Sequence, residues 1–272
     1  MVYVPAVLQY LVTETTQRFR RLAINILRQG PIPRHVAFIM DGNRRYARSL
    51  GVATQQGHLR GFHKLEEVLE WCMQLGIPAV SIYAFSIDNF NRPTEEVETL
   101  MNLAKEKLVV FCRESETVRK YGINVRVCGN LDLLAPDVRD KIDEVHSLTE
   151  QNDKAVLNVC FSYNSSDEIT TAIRRTAEEV DEGVLVADEI QWKNIEGHLF
   201  TSKSPPLDML VRTSGESRFS DFLLAQIANH CSIHFTTELW PEFTLWTLLT
   251  MLLEFQVTYS GIQEEKQRAA IN

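Results

Sequence analysis

The stretch His35-Val36-Ala37-Phe38-Ile39-Met40-Asp41-Gly42-Asn43-Arg44-Arg45 changes character at one point. From Val36 to Met40 it is continuously apolar, as in a strand covered on both faces. Asp41 then falls at the strand tip, and Gly42 permits a tight turn. Backbone N–H groups at such a turn, and at the start of the helix that follows, can receive phosphate oxygens. A carboxylate at the same place repels phosphate unless a cation lies between them. Mg²⁺ resolves the conflict, because it takes one or two protein carboxylates together with substrate phosphate oxygens. Taken alone, Asp41-Gly42-Asn43 reads more readily as an ordinary Asx turn, so the neighbouring elements must decide.

Outward from this stretch, short apolar runs alternate with helical patterns. The runs are His35–Met40, Val80–Phe85, Asn124–Gly129, Val156–Tyr163, Met209–Arg212 and Ser232–Thr236. Helical spacing is expected over 58–75, 94–121, 136–151, 167–180, 188–200, 219–229 and 243–260. Strand–helix alternation with nearly unbroken apolar strands predicts an α/β fold with a mostly parallel sheet. Residues 1–29 read as an amphipathic helix, with Leu8, Leu11, Val12, Phe19, Leu22 and Ile26 at helical spacing and four arginines beside them. Gly30 and Pro31-Ile32-Pro33 end it. Such a helix either packs on the main body or lies on a membrane surface, or does both.

Ligands of parallel sheets gather at the carboxyl ends of the strands. There the first run carries Asp41 to Arg45, the second Asp88-Asn89-Phe90-Asn91-Arg92, and the fifth Arg212 through Ser220. Arginine forks match phosphate oxygens, and hydroxyls with backbone N–H groups complete a cradle. Arg212 and Arg218 flank a Ser/Gly loop, and Ser220 is placed to cap the next helix. Solvated loop arginines explain the same pattern equally well. His58 follows Gly57 at an expected helix start, where an anion is favoured, although a lone His is more often structural. Thr94 with Glu95 and Glu96 reads as a capped, acidic first turn. The residues support a diphosphate with Mg²⁺ and say nothing of the organic half of the substrate. A strand-tip carboxylate such as Asp41 is expected to contribute little to the core.

The composition narrows the partners. At 272 residues and 44% hydrophobic the chain buries a substantial core, and a formal charge of −8 argues against a nucleic-acid binder. Five scattered cysteines with no C-x-x-C pair read as reduced, packed thiols. No apolar run approaches the ~20 residues of a spanning helix, and the first residues do not resemble a signal peptide.

His35 through Ala47 closely resembles the opening signature of cis-prenyltransferases. So do Tyr83-Ala84-Phe85-Ser86 with Asn89-Phe90 and Arg92-Pro93, then Arg212 through Arg218, and Leu239-Trp240-Pro241-Glu242-Phe243. The similarity runs from about Gly30 to Gln256, and Arg44 with Ser214 makes it look like the eukaryotic dehydrodolichyl diphosphate synthase branch. The resemblance implies a six-stranded, mostly parallel sheet wrapped by helices around a hydrophobic tunnel, distinct from the Rossmann arrangement. It implies that isopentenyl diphosphate is condensed onto an allylic diphosphate such as farnesyl diphosphate, giving the long polyprenyl precursor of dolichol for protein glycosylation. Under it, Asp41 positions Mg²⁺, while Gly42, Asn43, Arg44, Arg45 and His58 hold the allylic diphosphate. Arg212, Arg218 and Ser220 bind isopentenyl diphosphate, and Asn89 lies in the block tied to proton removal.

Residues 30–260 then form the catalytic domain and 261–272 a C-terminal tail. The family likeness also implies peripheral attachment to the cytosolic face of the endoplasmic reticulum membrane. It departs from pattern at Asp88, where relatives commonly have Glu, at Ser232, where bacterial members have a metal-binding carboxylate, and at Ala225, where they usually have Trp. No Arg-x-Gly motif occurs after Gly261, so an accessory subunit of the Nogo-B-receptor type is expected to supply it, with a homodimer as the alternative. The competing functions are a Mg²⁺-dependent phosphohydrolase and a non-catalytic subunit of a prenyltransferase complex.

Overall fold

The computed structural model describes residues 6–228 and 231–271, with side chains described between 14 and 261. β1 (His35–Ile39), β2 (Ala79–Ser86), β3 (Ile123–Cys128), β4 (Ala155–Tyr163), β5 (Met209–Arg212) and β6 (Ser232–Phe235) make one sheet. Its order is β3-β4-β2-β1-β5-β6, and every pairing is parallel. All residues of β1 and β5 are buried, which is why their sequences are unbroken rather than alternating.

Alternate side chains serve two cores of unequal size. Val36 and Phe38 face the larger one, with Val80, Ile82, Val159 and Val211. Helices α3 (Thr54–Leu75), α4 (Thr94–Glu114), α6 (Pro136–Thr149) and α10 (Leu245–Ile271) complete it. Phe38 meets Trp240 and Phe243 at ring-centroid distances of 5.8 and 6.2 Å, and burying a side chain of this kind contributes about 3 kcal/mol. Trp240 satisfies its indole by donating from Nε1 to the Gly61 carbonyl at 2.8 Å. Ala37, Ile39, Cys160, Tyr163 and Leu210 face the smaller core, covered by Phe222 and Leu223. Beyond them, α7 (Ser165–Asp181), α8 (Trp192–Gly197) and α9 (Leu224–Ile227) meet at Ala172, Leu199 and Ala225.

Several helix boundaries differ from the sequence expectation. A separate helix α2 (Asn43–Ser49) follows the Asp41 turn, and α3 begins at Thr54, which puts His58 in its second turn and not at its start. The pattern over 94–121 is two helices, because Ser115 ends α4 and its hydroxyl accepts from Val118 N to begin α5 (Glu116–Tyr121). Pro93, not Thr94, occupies the N-cap position of α4, with no side-chain cap. The expected helix over 219–229 is reduced to α9, since Ser220, Asp221 and Leu223 have left-handed φ of 51°, 56° and 48°. Over 188–200 only α8 is α-helical. α10 continues through the stretch set apart as a tail, to Ile271, while Asn272 lies outside the described residues.

α1 (Ala6–Leu27) packs on the body through Ile24, which is buried, with Ala23 and Leu27 beside it. Residues 1–5 of the expected helix lie outside the described residues. Gln256 of α10 fastens the helix end by donating from Nε2 to the carbonyls of Leu27 at 2.7 Å and Pro31 at 3.1 Å. Cys72, Cys112, Cys128 and Cys160 are buried free thiols, and burial pushes the first three up to about 12. They act as packed apolar groups, as expected. Among the described residues no helix is long and apolar enough to cross a membrane.

Candidate active site

β1 lies between β2 and β5, so the chain leaves β1 toward one side and returns to its other side only late. A crevice opens where such connections diverge. It holds a cavity of about 640 Å³ whose walls include Asp41, Gly42, Asn43, Arg44, Arg45, His58, Asn89, Arg212, Arg218 and Ser220. Every site residue selected from the sequence therefore meets in one place.

The Asp41 turn is clamped from both sides. Asp41 N donates to Thr213 Oγ1 at 3.0 Å, Thr213 Oγ1 donates to the Asp41 carbonyl at 2.7 Å, and Trp240 N donates to that carbonyl at 3.0 Å. Gly42 has φ 109°, and a Cβ there would stand 2.3 Å from Ser214 Oγ, so only glycine fits the turn. Asn43 then opens α2 against α3 at very close range. A Cβ on Gly61 would come within 2.2 Å of Asn43 Oδ1. That oxygen is buried without a protein partner.

The walls carry six arginines, at 44, 45, 48, 92, 212 and 218, against three carboxylates, Asp41, Asp88 and Glu216. In a protein of net charge −8 this is a local reversal of sign. Arg212 is buried; it donates from Nη2 to Asp41 Oδ2 at 3.0 Å, and from Nη1 to Ser220 Oγ at 2.8 Å and to the Arg218 carbonyl. Its Nε has no partner. Arg45 Nη2 lies 3.6 Å from both Asp41 Oδ1 and Glu216 Oε1, and its Nη1 donates to Ser214 O at 3.0 Å. Burial, reinforced by the Arg92 charge, lowers the His58 pKa, so its ring is neutral near pH 7. His58 Nε2 is buried without a partner. Unpaired buried polar atoms are rare in folded proteins, and here three of them, on Asn43, His58 and Arg212, belong to residues lining one cavity.

The structure alters two assignments and adds others. Ser220 does not cap a helix; α9 starts only at Leu224, and the Ser220 hydroxyl is an acceptor for Arg212. Glu96 does more than face a helix dipole: it pairs with Arg92 at 2.9 Å and Arg44 at 3.6 Å, setting two cavity arginines. Arg48 and Arg92 line the cavity although no role was read for them. Arg48 stands four residues after Arg44 and Glu96 four after Arg92, a helical spacing that would have shown both. Asn164 was missed as well, and Tyr83 was quoted in a family block without a role. Tyr83 lines the cavity with its hydroxyl 3.1 Å from Asn164 Oδ1, and Ser86 donates to that same oxygen at 2.8 Å. No sequence pattern links positions so far apart. Asn89 closes a capping box, its Oδ1 accepting from Ser86 N at 3.2 Å.

Behind the crevice lies an apolar chamber of about 110 Å³, lined by Phe62, Leu65, Ile82, Leu103, Leu108 and Phe161 among others. Met40, Asn43, His58, Ala84 and Leu100 line both spaces. The polar crevice thus opens directly onto hydrocarbon-lined space. The chamber is of the same order as the ~150 Å³ that admits benzene, and α3 and α4 supply much of its wall.

The family model for undecaprenyl diphosphate synthase-type prenyltransferases matches residues 39–260. The chain is 44% identical to the human dehydrodolichyl diphosphate synthase complex subunit over 93% of its own length and 75% of the relative's. Against the complex subunit of Schizosaccharomyces pombe it is 39% identical, over 89% of this chain and 92% of that one. Lavandulyl diphosphate synthase from Lavandula x intermedia, solved with dimethylallyl diphosphate, superposes with a TM-score of 0.76 at 32% identity, covering 82% of this chain and 95% of that chain. With its parallel sheet, its arginine-lined crevice and these relatives, the chain belongs to the cis-prenyltransferase family of undecaprenyl and dehydrodolichyl diphosphate synthases.

Proposed function

We propose that this chain is the catalytic subunit of a polycis-polyprenyl diphosphate synthase serving dolichol formation. The observation that carries the reading is the junction of the six-arginine crevice with the apolar chamber. A diphosphate with a hydrocarbon tail matches both halves, whereas a simple phosphohydrolase has no use for the chamber.

In this reading isopentenyl diphosphate adds to an allylic diphosphate, farnesyl diphosphate being the expected primer. A carbon–carbon bond forms at the allylic carbon as its C–O bond breaks, the diphosphate leaves with those bonding electrons, and a proton is lost as the new cis double bond forms. Gly42, Asn43, Arg44, Arg45 and His58 hold the allylic diphosphate, and the neutral His58 ring can present Nε2–H to one of its oxygens. Arg212, Arg218 and Ser220 hold isopentenyl diphosphate. Asn89, locked by Ser86 through Oδ1, keeps its amide donors for the substrates. Fixed cations in a crevice of this kind stabilise developing charge without reorganising, an effect worth several kcal/mol.

Magnesium fits this donor set in one way. Among the described residues no three His, Cys, Asp or Glu converge as a metal group, so Asp41 at the strand tip would hold the ion together with oxygens of the diphosphate. When bound, the ion neutralises the departing diphosphate.

The relatives named as complex subunits support a partner chain, for which a different subunit is the expected identity, and dolichol formation makes the endoplasmic reticulum membrane the expected location. Incubation with farnesyl diphosphate, radiolabelled isopentenyl diphosphate and Mg²⁺, alone and with a Nogo-B-receptor-type subunit, tests the reading. Extended lipid products, increased by the partner, are expected. Released phosphate without extension would establish the hydrolase instead, and full activity unaltered by the partner would remove the heteromer.

A further inference from the structure

Asn164 occupies the N-cap position of α7, with extended φ −140° and ψ 146°, yet its side chain makes no cap hydrogen bond. Asparagine is among the best N-caps, because its oxygen can accept from the first unpaired N–H groups of a helix. In α7 a distant segment does so instead. Ser165 N donates to the Asp221 carbonyl at 2.7 Å, and Ser166 N donates to the Asp221 carboxylate at 3.2 and 3.3 Å. Ser165 Oγ in return accepts from Leu224 N at 2.9 Å. The loop after β5 is thus stitched to the start of α7, which releases Asn164 from capping.

Asn164 Oδ1 turns to the wall of the crevice. It accepts from Ser86 Oγ at 2.8 Å and from the Tyr83 hydroxyl at 3.1 Å, two residues of β2 that line the cavity. Ser86 opens the turn that Asn89 closes. The Tyr83 hydroxyl also stands 3.1 Å from the carbonyls of Tyr163 and Ser220, so its one proton is shared among three acceptors. Its ring is stacked on Phe222, with centroids 4.5 Å and planes 14° apart, which keeps the hydroxyl from swinging away. Ser220 Oγ in turn accepts from Arg212. One amide oxygen therefore stands behind both the Ser86–Asn89 turn and the Ser220–Arg212 pair, while Asn164 itself does not line the cavity.

We infer that Asn164 is a positioning residue for prenyl transfer: its Oδ1 sets the Ser86 and Tyr83 hydroxyls, and through them the spacing between the β2 wall and the Ser220–Arg212 wall. The inference rests on the prenyl transfer proposed above and adds a residue to it. Two substrates react only when the allylic carbon and the attacking double bond meet, and a misplacement of about 1 Å can cost on the order of 100-fold in rate. Removing Asn164 loosens that approach and leaves in place the cationic groups that bind the diphosphates. The loss therefore falls on kcat rather than on either KM.

Steady-state kinetics with farnesyl diphosphate and isopentenyl diphosphate, on the full chain together with the accessory subunit, tests this role. Asn164→Ala should lower kcat ~10-fold, with each KM within about two-fold of the unmodified protein. Its urea midpoint should stay near the unmodified value, because Asp221 caps α7, Tyr83 keeps two other acceptors and Ser86 faces the open cavity. Asn164→Ser supplies an equally good N-cap but is too short to reach both hydroxyls, so it should be as slow as Asn164→Ala. Asn164→Asp keeps an acceptor oxygen in place and should return kcat to within about three-fold of normal. Adding Asn164→Ala to Tyr83→Phe/Ser86→Ala should cost less than about two-fold more, since the groups it acts through are already gone. Should Asn164→Ala fail to fold, the comparison of Asn164→Ser with Asn164→Asp decides alone. Normal kcat in Asn164→Ala, recovery with Asn164→Ser, or a full multiplicative loss in the combined variant overturns the inference. An unmodified chain that extends no primer would defeat the proposed reaction and this role with it, whereas an active chain with an equally fast Asn164→Ala variant defeats this role alone.

Discussion

Arg212 at the end of β5 donates from Nη2 to Oδ2 of Asp41 beyond the end of β1, at 3.0 Å, across 171 residues of sequence. The register pairs Ile39 with Arg212, so adjacency of two parallel strands creates the contact. The Arg212 side chain is 3% exposed and that of Asp41 33%. Asp41 is therefore the counterion of a buried guanidinium, which corrects the expectation that a strand-tip carboxylate matters little to stability. In the proposed reaction, a diphosphate reaching Arg212 would compete with Asp41 and leave that carboxylate to a cation.

Asp41→Asn keeps the shape and one acceptor for Arg212, and removes the charge. Turnover should fall by at least ~100-fold, as losses of transition-state electrostatics do, with stability lowered because the buried Arg212 keeps a hydrogen-bond acceptor but loses its counterion. Asp41→Ala should in addition cost about 1–3 kcal/mol, because a buried donor loses its partner. Urea unfolding beside a turnover assay separates the two effects; a folded Asp41→Asn enzyme of near-normal rate would remove Asp41 from the mechanism.

Arg212→Lys and Arg218→Lys keep the charge and remove the planar fork. Affinity for isopentenyl diphosphate should weaken more than affinity for the allylic primer, read by separate titrations of each. Equal weakening would place these arginines on the wrong substrate. Arg212→Lys should be the more damaging, since its single ammonium cannot span Asp41, Ser220 and the Arg218 carbonyl together.

Gly61→Ala tests the close approach of α2 to α3. The new methyl would stand 2.2 Å from Asn43 Oδ1 and must displace that side chain. We predict a folded protein whose KM for the allylic diphosphate rises several-fold while that for isopentenyl diphosphate changes little. Unchanged kinetics would show that the Asn43 position is not needed.

His35 governs part of the acid response. It is buried, bonded through Nδ1–H to the Pro205 carbonyl at 2.8 Å, and accepts at Nε2 from Ser81 Oγ at 2.7 Å. Burial lowers its pKa from 6.5 to about 4. The unfolded chain therefore binds the proton first as pH falls, so this stability is full above pH ~6.5 and is lost progressively down to pH ~4. About 2 kcal/mol should disappear between pH 7 and pH 5, and His35→Gln should flatten that part of the curve. His58, His146 and His234 shift in the same direction, which makes the difference between the two proteins, not the slope of either, the deciding measurement.

The sequence by itself determined the parallel α/β fold, because Val36–Met40 and Met209–Val211 are apolar on both faces, as strands of a doubly covered sheet are. It also determined the inventory of the site, since the residues at strand tips are local in sequence and their chemistry is visible one by one. What only the tertiary structure decided is which of them touch. The Asp41–Arg212 pair, the Ser220 hydroxyl turned to Arg212, and Glu96 joining Arg44 to Arg92 all depend on the order of strands and the placement of loops. Helical periodicity also overran Ser115 and missed the left-handed residues before α9, because an apolar pattern records which face is buried and not where the backbone turns. Burial of His35 and Arg212 belongs to the same class: their side chains look polar in sequence, and only packing against distant strands supplies the partners that let them be buried.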